Sequence, residues 1–285
     1  MRNLTLLLVL LACSTSSASL PQQAPPQIPS KAPTGPIQDN SFLVEEAYNQ
    51  EDGVIQHINF FTKNTSTNSW IYTFTDEWPL RSYKHQLSFT LTGLHNGDFH
   101  GSGAGWGDTA VNYRYQLVGN GEAKLAIAPR ATLLVPTGDS KQGRSFGGVG
   151  YQVGLPISIM HSEHWQTNWN AGATWIPHSH NEFGDTAGTT LVSLGQSVVW
   201  LPTQRVNFLL ETIWAKYQKV DGPGITTWSE DLYISPGIRW SYNFRNGLQI
   251  VPGVAVPIGV GPRSGEAGVL FYLSFEHPFA FAHSR

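Results

Sequence analysis

The sequence predicts an all-β fold: an antiparallel transmembrane β-barrel of about twelve strands, with an N-terminal signal peptide and a Pro-rich spacer. Three observations support this. The candidate strands are long, their connections alternate between short and long, and each strand has one apolar and one polar face. Strands that cross a membrane need about 9–11 residues, whereas ordinary strands average about 5–6. Strand length therefore favours a membrane barrel.

The candidate strands follow one another from residue 54 with no comparable helical periodicity between them. They cover residues 54–63, 69–78, 85–94, 109–118, 123–135, 149–160, 165–176, 189–201, 205–215, 230–242, 248–259 and 266–279.

Connections between these strands differ in length from one side to the other. On one side they are short: PLRSYK, GNGE, HSEH, PTQR and FRNG. On the other side most are longer, at 64–68, 95–108, 136–148, 177–188, 216–229 and 260–265. Short turns on one side and long loops on the other are typical of outer-membrane barrels.

The two faces of each strand differ in polarity. Val111, Tyr113 and Tyr115 share one face, for example, and Asn112 and Arg114 share the other. A small soluble barrel buries its apolar face, but twelve strands enclose a lumen too wide to fill easily with aliphatic side chains. We therefore expect the apolar face to meet lipid and the polar face to line the lumen.

This orientation predicts a set of lumen-lining side chains: Asn112, Arg114, Gln116, Lys124, Arg130, Gln152, Asn168, Asn170, Asn207, Glu211, Arg239 and Glu276. Two interpretations of this set remain open. The groups could line a pore and set its charge preference, or they could pair in a structural network that plugs the barrel. The sequence also leaves open whether residues 39–53 enter the lumen.

The N-terminus is typical of an exported protein. Arg2 precedes an apolar run and a stretch of small residues, which predicts a signal peptide over residues 1–18. Cys13 belongs either to that discarded signal or to a lipid-attachment motif. A Pro- and Gln-rich linker at 19–40 follows, and the uniform texture of 41–285 predicts one barrel domain. No apolar run elsewhere is long enough for a transmembrane helix.

No motif predicts catalysis or a cofactor. The sequence GRSFGG differs in spacing from the Gly-X-Ser-X-Gly motif of hydrolases. His178, His180 and Glu182 in the predicted loop PHSHNE could bind a metal, but a polar surface loop explains them better, and we predict no metal site. A net charge of −3 gives no indication of a nucleic-acid partner.

Several segments resemble a known family. They are Gly105-Trp106-Gly107-Asp108 leading into Tyr113-Arg114-Tyr115, Pro136-Thr137-Gly138 at the end of the next strand, and residues 41–57, 235–243 and 271–279. Over about residues 41–279 the chain resembles the bacterial outer-membrane transporter family named after the MetA pathway of phenol degradation. The resemblance implies a twelve-stranded outer-membrane barrel that passes small hydrophobic or aromatic molecules, and it supplies no catalytic residues.

We therefore expect a non-enzymatic, porin-like barrel in the outer membrane of a Gram-negative bacterium. Its expected partners are outer-membrane lipid, a small-molecule solute and the barrel-assembly machinery, which reads a terminal aromatic such as Phe279 or Phe281. Two alternatives remain: a structural or adhesive barrel with a plugged lumen, and an outer-membrane hydrolase with Ser and His at its rim.

Overall fold

The computed structural model describes residues 37, 39–97, 103–120 and 123–279. The predicted signal peptide, Cys13, Phe281 and most of the predicted linker lie outside these residues.

Strands make up most of the described chain. In chain order they are β1 (Val54–Asn64), β2 (Trp70–Pro79), β3 (His85–His95), β4 (Gly105–Trp106), β5 (Thr109–Tyr115), β6 (Leu125–Ile127), β7 (Arg130–Val135), β8 (Gly150–Ser162), β9 (Trp165–His180), β10 (Thr186–Thr203), β11 (Val206–Gly222), β12 (Ile225–Trp240), β13 (Tyr242–Asn243), β14 (Gln249–Ala255), β15 (Ile258–Gly259) and β16 (Gly268–Pro278).

The strands close into a barrel because the last one pairs with the first. β16 is antiparallel to β1 along their whole length, from Val54 opposite Pro278 to Asn64 opposite Gly268. β14 pairs with both β16 and β12, which completes the ring. Closure leaves no open sheet edge around the barrel, which a membrane-spanning sheet requires.

The barrel has twelve strands in the described residues because the short segments continue longer ones. β6 and β7 both pair with β8 as one interrupted strand, and β14 and β15 both pair with β12. β4 and β5 likewise share β3 as their partner, and β13 follows β12 directly and pairs with β14. The predicted antiparallel twelve-stranded barrel is confirmed.

We call the end where β1 begins the proximal end and the opposite end the distal end. Short connections at 80–84, 163–164 and 204–205 lie at the proximal end, as predicted. At the distal end, the prediction of long loops at 177–188 and 216–229 is wrong. β9 runs to His180 and β10 begins at Thr186, and β11 and β12 are joined only by Pro223 and Gly224.

Near its distal end the β11–β12 hairpin carries polar groups on its outward face, so it lacks the apolar outward face that marks a membrane strand. Gln218 Nε2 donates to Thr226 Oγ1 at 2.9 Å, and the Lys216 ammonium lies 5.5 Å from the centroid of the Trp228 ring. Strands β9 to β12 have 16 to 18 residues, more than the roughly 9–11 that cross a bilayer. We infer that their distal ends extend beyond the apolar layer.

The outward face carries exposed apolar side chains in a belt around the barrel. Val153, Leu194, Leu210 and Phe271 are each at least half exposed. Such a large apolar surface would be unfavourable in water and is expected where strands face lipid. No helix in the described part of the chain is long and apolar enough to cross a membrane.

Candidate functional site

Residues 39–50, which we call the lumen segment, lie inside the barrel. The segment forms no strand, and a turn at residues 51–53, with Gly53 in the left-handed region at φ 81°, joins it to β1. Its hydrogen bonds reach inward-facing side chains on strands all around the ring, from β3 to β16. The segment therefore crosses the lumen.

The wall binds the lumen segment mainly through its backbone. Amide groups at six positions donate to wall side chains: Leu43 and Val44 to Glu211 Oε1 at 3.0 Å each, Glu45 to Asn170 Oδ1 at 2.8 Å, Ala47 to Ser158 Oγ at 2.8 Å, Asn49 to Gln116 Oε1 at 2.9 Å and Gln50 to Gln86 Oε1 at 2.8 Å. Several carbonyls accept in return; Asn170 Nδ2 donates to Glu45 O at 2.9 Å and Gln116 Nε2 to Ala47 O at 2.7 Å. The polar wall thus satisfies backbone groups that would otherwise be buried unpaired.

Arg239 is the most buried cation of this network, with only 1% of its surface exposed. Its guanidinium donates through Nη1 to the carbonyls of Asp39 and Asn40 at 2.7 Å each, and through Nε to Asn207 Oδ1 at 2.9 Å. Nη2 donates to Glu46 Oε1 at 2.9 Å. Burial raises the pKa of the Glu46 carboxyl, and the charge of Arg239 opposes that rise.

Asp39, the first residue of the lumen segment, is bound by three side chains of the wall. Its carboxylate accepts from Gln56 Nε2 at 2.6 Å and from the hydroxyls of Tyr272 and Ser274. Burial raises the pKa of this carboxyl too, against the opposing charge of Arg239 and these hydrogen bonds.

Phe42 occupies an apolar seat formed by glycines. A Cβ atom added to Gly253 would lie 2.5 Å from Phe42 Cε1, and one added to Gly237 would lie 2.5 Å from Phe42 Cε2. The Phe42 and Tyr272 ring centroids are 5.5 Å apart. The wall therefore has a defined site for this ring, which larger residues at the two glycine positions would fill.

Two further arginines bind the segment from β5 and β7. Arg114 donates through Nη2 to Tyr48 O at 2.6 Å and through Nε to Asn49 Oδ1 at 2.8 Å. Arg130 pairs with Glu45 and donates to Gln152 Oε1 at 2.9 Å. Each arginine pairs with acidic or carbonyl oxygens, which buried cations require.

A cavity of about 300 Å³ lies beside the lumen segment. Its wall combines the apolar side chains of Ile58, Phe60 and Tyr272 with the hydroxyls of Thr73, Thr75 and Thr90, and Arg114 and Arg130 complete it. A volume of this size lies at the lower end of the range for small-molecule sites. The lumen is thus partly filled and partly open.

A second cluster lies at the distal end, where the connection between β15 and β16 meets the wall. Arg263 donates through Nε to Asp231 Oδ1 at 2.6 Å and through Nη1 to Glu266 Oε1 at 3.1 Å, and Tyr233 OH donates to Glu266 Oε2 at 2.7 Å. Burial raises the pKa of Glu266, but the hydrogen bonds from Tyr233 and Arg263 outweigh it and hold the pKa below its ordinary value. Asp231 and Tyr233 lie on the same face of β12 as Ser235, which points inward. The cluster therefore lies at the distal mouth of the lumen.

The structure places the predicted lumen residues as follows. The fully buried ones are Asn112, Arg114, Gln116, Asn168, Asn207, Glu211 and Arg239. Arg130, Gln152, Asn170 and Glu276 are half-buried. Lys124 does not fit the prediction, because it is exposed in the proximal connection before β6. By alternation Lys124 would face inward if the strand reached it. The strand begins only at Leu125, so no lumen surrounds Lys124.

Sequence reasoning missed several residues that bind the segment. Ser158, Gln86 and Gln166 accept or donate bonds to it, and Tyr272 binds Asp39. The inward phase of each strand could have identified them. The same alternation along β12 could have identified Asp231 and Tyr233, whereas Arg263 and Glu266 lie in the connection between β15 and β16, where no alternation marks them.

The histidines of the predicted loop PHSHNE lie elsewhere than expected. His178 and His180 belong to β9, with His178 exposed and His180 against Gly147. In the described part of the chain, no group of three or more His, Cys, Asp or Glu side chains is placed to hold a metal ion.

Comparison with solved structures identifies the class of the fold. The NanC porin superimposes with a TM-score of 0.50 at 9% identity, covering 79% of this chain and 100% of that one. The KdgM porin gives a TM-score of 0.50 at 10% identity, covering 79% and 99% of the two chains. The chain therefore has the fold of porin-like outer-membrane barrels.

No protein-family model matches the sequence, and no curated protein does. At about one identical residue in ten, the likeness to the two porins shows the fold alone.

Proposed function

We propose that this protein is a barrel of the bacterial outer membrane through which small molecules pass passively. The apolar belt contacts outer-membrane lipid, the barrel-assembly machinery inserts the chain, and the solute crosses by way of the lumen. The domain organisation proposed with it is a signal peptide over 1–18, a linker over 19–40 and the barrel over 41–285.

The cavity of about 300 Å³ inside the barrel carries this proposal. It lies between the lumen segment and strands β1, β2, β3 and β5, so the segment and the barrel wall line it rather than surface loops. A plug with no passage role would be expected to pack against the wall without such a space, since protein interiors leave few voids larger than a water molecule.

The cavity wall suits a small ring that carries a polar substituent. Phe60, Ile58 and Tyr272 offer apolar surface, while Thr73 and Thr75 offer hydroxyls. Hydrophobic or aromatic solutes are therefore the proposed class. The resemblance to the outer-membrane transporter family named after the MetA pathway of phenol degradation agrees with this choice, and we propose membership of that family.

Ion conductance and solute flux test the proposal. The refolded protein is inserted into planar bilayers and into liposomes, and small aromatic solutes are added. We expect a small steady current that aromatic solutes reduce, and flux of those solutes into liposomes. Thr75→Phe fills the cavity and should lower both, whereas the outward-facing Thr212→Phe should leave both unchanged. Inserted protein with neither current nor flux contradicts passage.

A structural or adhesive barrel with a plugged lumen is the second candidate. The observation in its favour is the paired charge across the lumen: Arg239 with Glu46 on one side and Arg130 with Glu45 on the other. Flux through the protein in the assay above separates the two candidates.

We propose no enzymatic activity. Three outward histidines bind partners other than serine: His57 pairs with Asp76, His85 Nδ1 lies 2.6 Å from Tyr113 OH, and His161 Nε2 lies 2.8 Å from Thr167 Oγ1. A hydrolase would need a serine hydroxyl at such a position.

A further inference from the structure

The lumen wall binds residues 39–50 as it would bind a separate peptide. In the described chain, no backbone-to-backbone hydrogen bond joins the lumen segment to a strand, and the segment pairs in no sheet register. The bonds run instead between backbone groups of the segment and side chains of the wall, such as Glu211, Asn170 and Gln116. The barrel's own strand pairing is therefore complete without the segment.

Polar side chains that hold the segment are also the kind that line a water-filled lumen. When the segment leaves, water can take its place at Ser158, Gln86 and Gln116, because hydrogen bonds to water replace those to the segment at little net cost. These wall side chains therefore still have hydrogen-bond partners after the segment is released.

Charge supports reversible binding of this segment in particular. The segment brings Glu45 and Glu46, and the wall presents Arg130 and Arg239 opposite them. Complementary charges favour the seated position over a random one, and salt weakens the partly exposed Glu45–Arg130 pair more than the buried pair. The glycine seat of Phe42 fixes the register at which the segment docks.

A hinge lies where the segment meets the barrel. Glu51 and Asp52 are exposed, and Gly53 has φ 81°, immediately before β1 begins at Val54. Rotation at these residues moves the segment without disturbing any strand pair.

We propose that the lumen wall is a binding surface for an extended acidic peptide, that residues 39–50 are its ligand, and that this ligand leaves and re-enters the lumen as a gate. Movement of the segment is independent of the proposed function, whereas the gating role rests on it. A peptide with the sequence of residues 39–50, added in trans, should occupy the same site when the chain's own segment is out.

A disulfide lock tests the gate in the full-length chain. Val44 Cγ2 lies 3.2 Å from the position of a Cβ on Gly195, so Val44→Cys with Gly195→Cys, in a Cys13→Ser background, places two thiols within bridging reach. The single-cysteine variants V44C and G195C are the matched controls. We expect the oxidised double variant to conduct less than one third as much as the reduced form, and the added peptide to lower the conductance of the reduced form.

Labelling provides a readout that does not depend on solute passage. Ala47 is 0% exposed when seated, so Ala47→Cys reacts with a membrane-impermeant maleimide only when the segment leaves the lumen. Lys84→Cys, in the exposed proximal connection, gives the reference rate in the same folded barrel. We expect slow but complete labelling of Ala47→Cys within hours, faster at high salt.

The outcomes separate the gate from passage. No labelling at residue 47 in a barrel that labels fully at residue 84 overturns the proposal, whatever the solute flux. Labelling with equal conductance in the locked and reduced forms overturns the gating role. Solute flux through the locked form supports passage even where the gate fails, so the two proposals are judged by different measurements.

Discussion

Arg239 of β12 and Glu46 of the lumen segment form a buried ion pair at 2.9 Å, with their side chains 1% and 2% exposed. The two residues are 193 positions apart in the chain. Because Gln166 Nε2 donates to the second oxygen of Glu46 and Asn207 accepts from Arg239, the pair is embedded in a larger network. It ties the segment to β12 of the barrel wall.

Removing one member of this pair should destabilise the protein strongly. While the segment stays in the lumen, Arg239→Met leaves the Glu46 carboxylate buried without its cation, which typically costs about 3–5 kcal/mol. Equilibrium unfolding by urea in lipid vesicles measures the change. The double variant Arg239→Met, Glu46→Leu should recover much of that loss, and a double variant as unstable as the sum of the two single variants would contradict the pairing.

Because the Phe42 ring packs against the glycine seat, a single methyl group added at Gly253 should displace the ring. Gly253→Ala places its Cβ 2.5 Å from Phe42 Cε1 and 2.7 Å from Phe42 Cζ, too close for contact, so the ring must move out of its site. We expect faster maleimide labelling at residue 47 and a loss of stability of about 1–3 kcal/mol, the usual cost of overpacking.

The matched variant adds Phe42→Ala to Gly253→Ala. If the clash is with the ring, removal of the ring should make the added methyl group nearly harmless relative to Phe42→Ala alone. A methyl group that costs the same in both backgrounds would show that the strain lies elsewhere, for example against Arg239 Cβ at 3.1 Å.

Glu211 differs from the other wall acids because it accepts backbone amides from the segment. Leu43 N and Val44 N both donate to its carboxylate. Glu211→Ala leaves these two amides without acceptors, at a cost of about 1–3 kcal/mol for each group that stays buried. If the segment instead leaves the lumen, water satisfies the amides, so the conductance should rise while the unfolding free energy changes less.

Glu211→Gln retains one acceptor oxygen and is the conservative control. It should keep the conductance of the original protein. Equal conductance for the alanine and glutamine variants would show that Glu211 does not hold the segment.

Much of the fold could be predicted because lipid imposes a strict rule on the outer face. Phe271, Leu210 and Trp169 are exposed as the alternation requires, and Asn168 and Glu211 are buried inside. The distal β11–β12 hairpin could not be predicted, since Gln218 and Thr226 place polar groups on the outward face, where the alternation of a membrane strand requires apolar ones.

The occupied lumen could not be predicted for a different reason. The wall recognises the segment through backbone groups, such as the amides of Ala47 and Asn49, which every sequence carries. The glycine seat could not be predicted either, because the sequence alone does not show that Gly237 and Gly253 pack against Phe42.

The distal cluster predicts a dependence on pH. The pKa of Glu266 is lowered in the folded protein, so its ionised form stabilises the connection over residues 260–267 at pH values above its unfolded pKa. That stability is lost as the pH falls through the lowered folded pKa. Amide hydrogen exchange should show protection of this connection at neutral pH and its loss only in strong acid.

Glu266→Gln is the control for this effect. It removes the titrating group, so the connection should exchange faster at neutral pH and change little on acidification. The same acid-dependent loss of protection in Glu266→Gln would assign the effect to another carboxyl, with Asp231 the first to test because it also binds Arg263.

The orientation of the barrel wall can be tested by placing the same charge on each face. Leu210 and Ser235 lie on neighbouring strands with opposite phase; Leu210 is 50% exposed on the outer face, and Ser235 is 0% exposed. Because the outer face meets hydrocarbon, Leu210→Arg should cost about 2–4 kcal/mol of folding free energy in vesicles if residue 210 lies near the bilayer midplane.

Thr73→Arg is preferred to a change at Ser235 as the inward control, because Ser235 is 0% exposed and leaves no space for a longer side chain. Thr73 faces the cavity, where a long side chain finds space and water, and we expect a cost below about 1 kcal/mol with a change in ion selectivity. Since the same charge is introduced in both variants, the difference between them reports the solvent that each face meets. A larger cost at residue 73 than at residue 210 would reverse the assignment of the two faces and remove the basis for a membrane barrel.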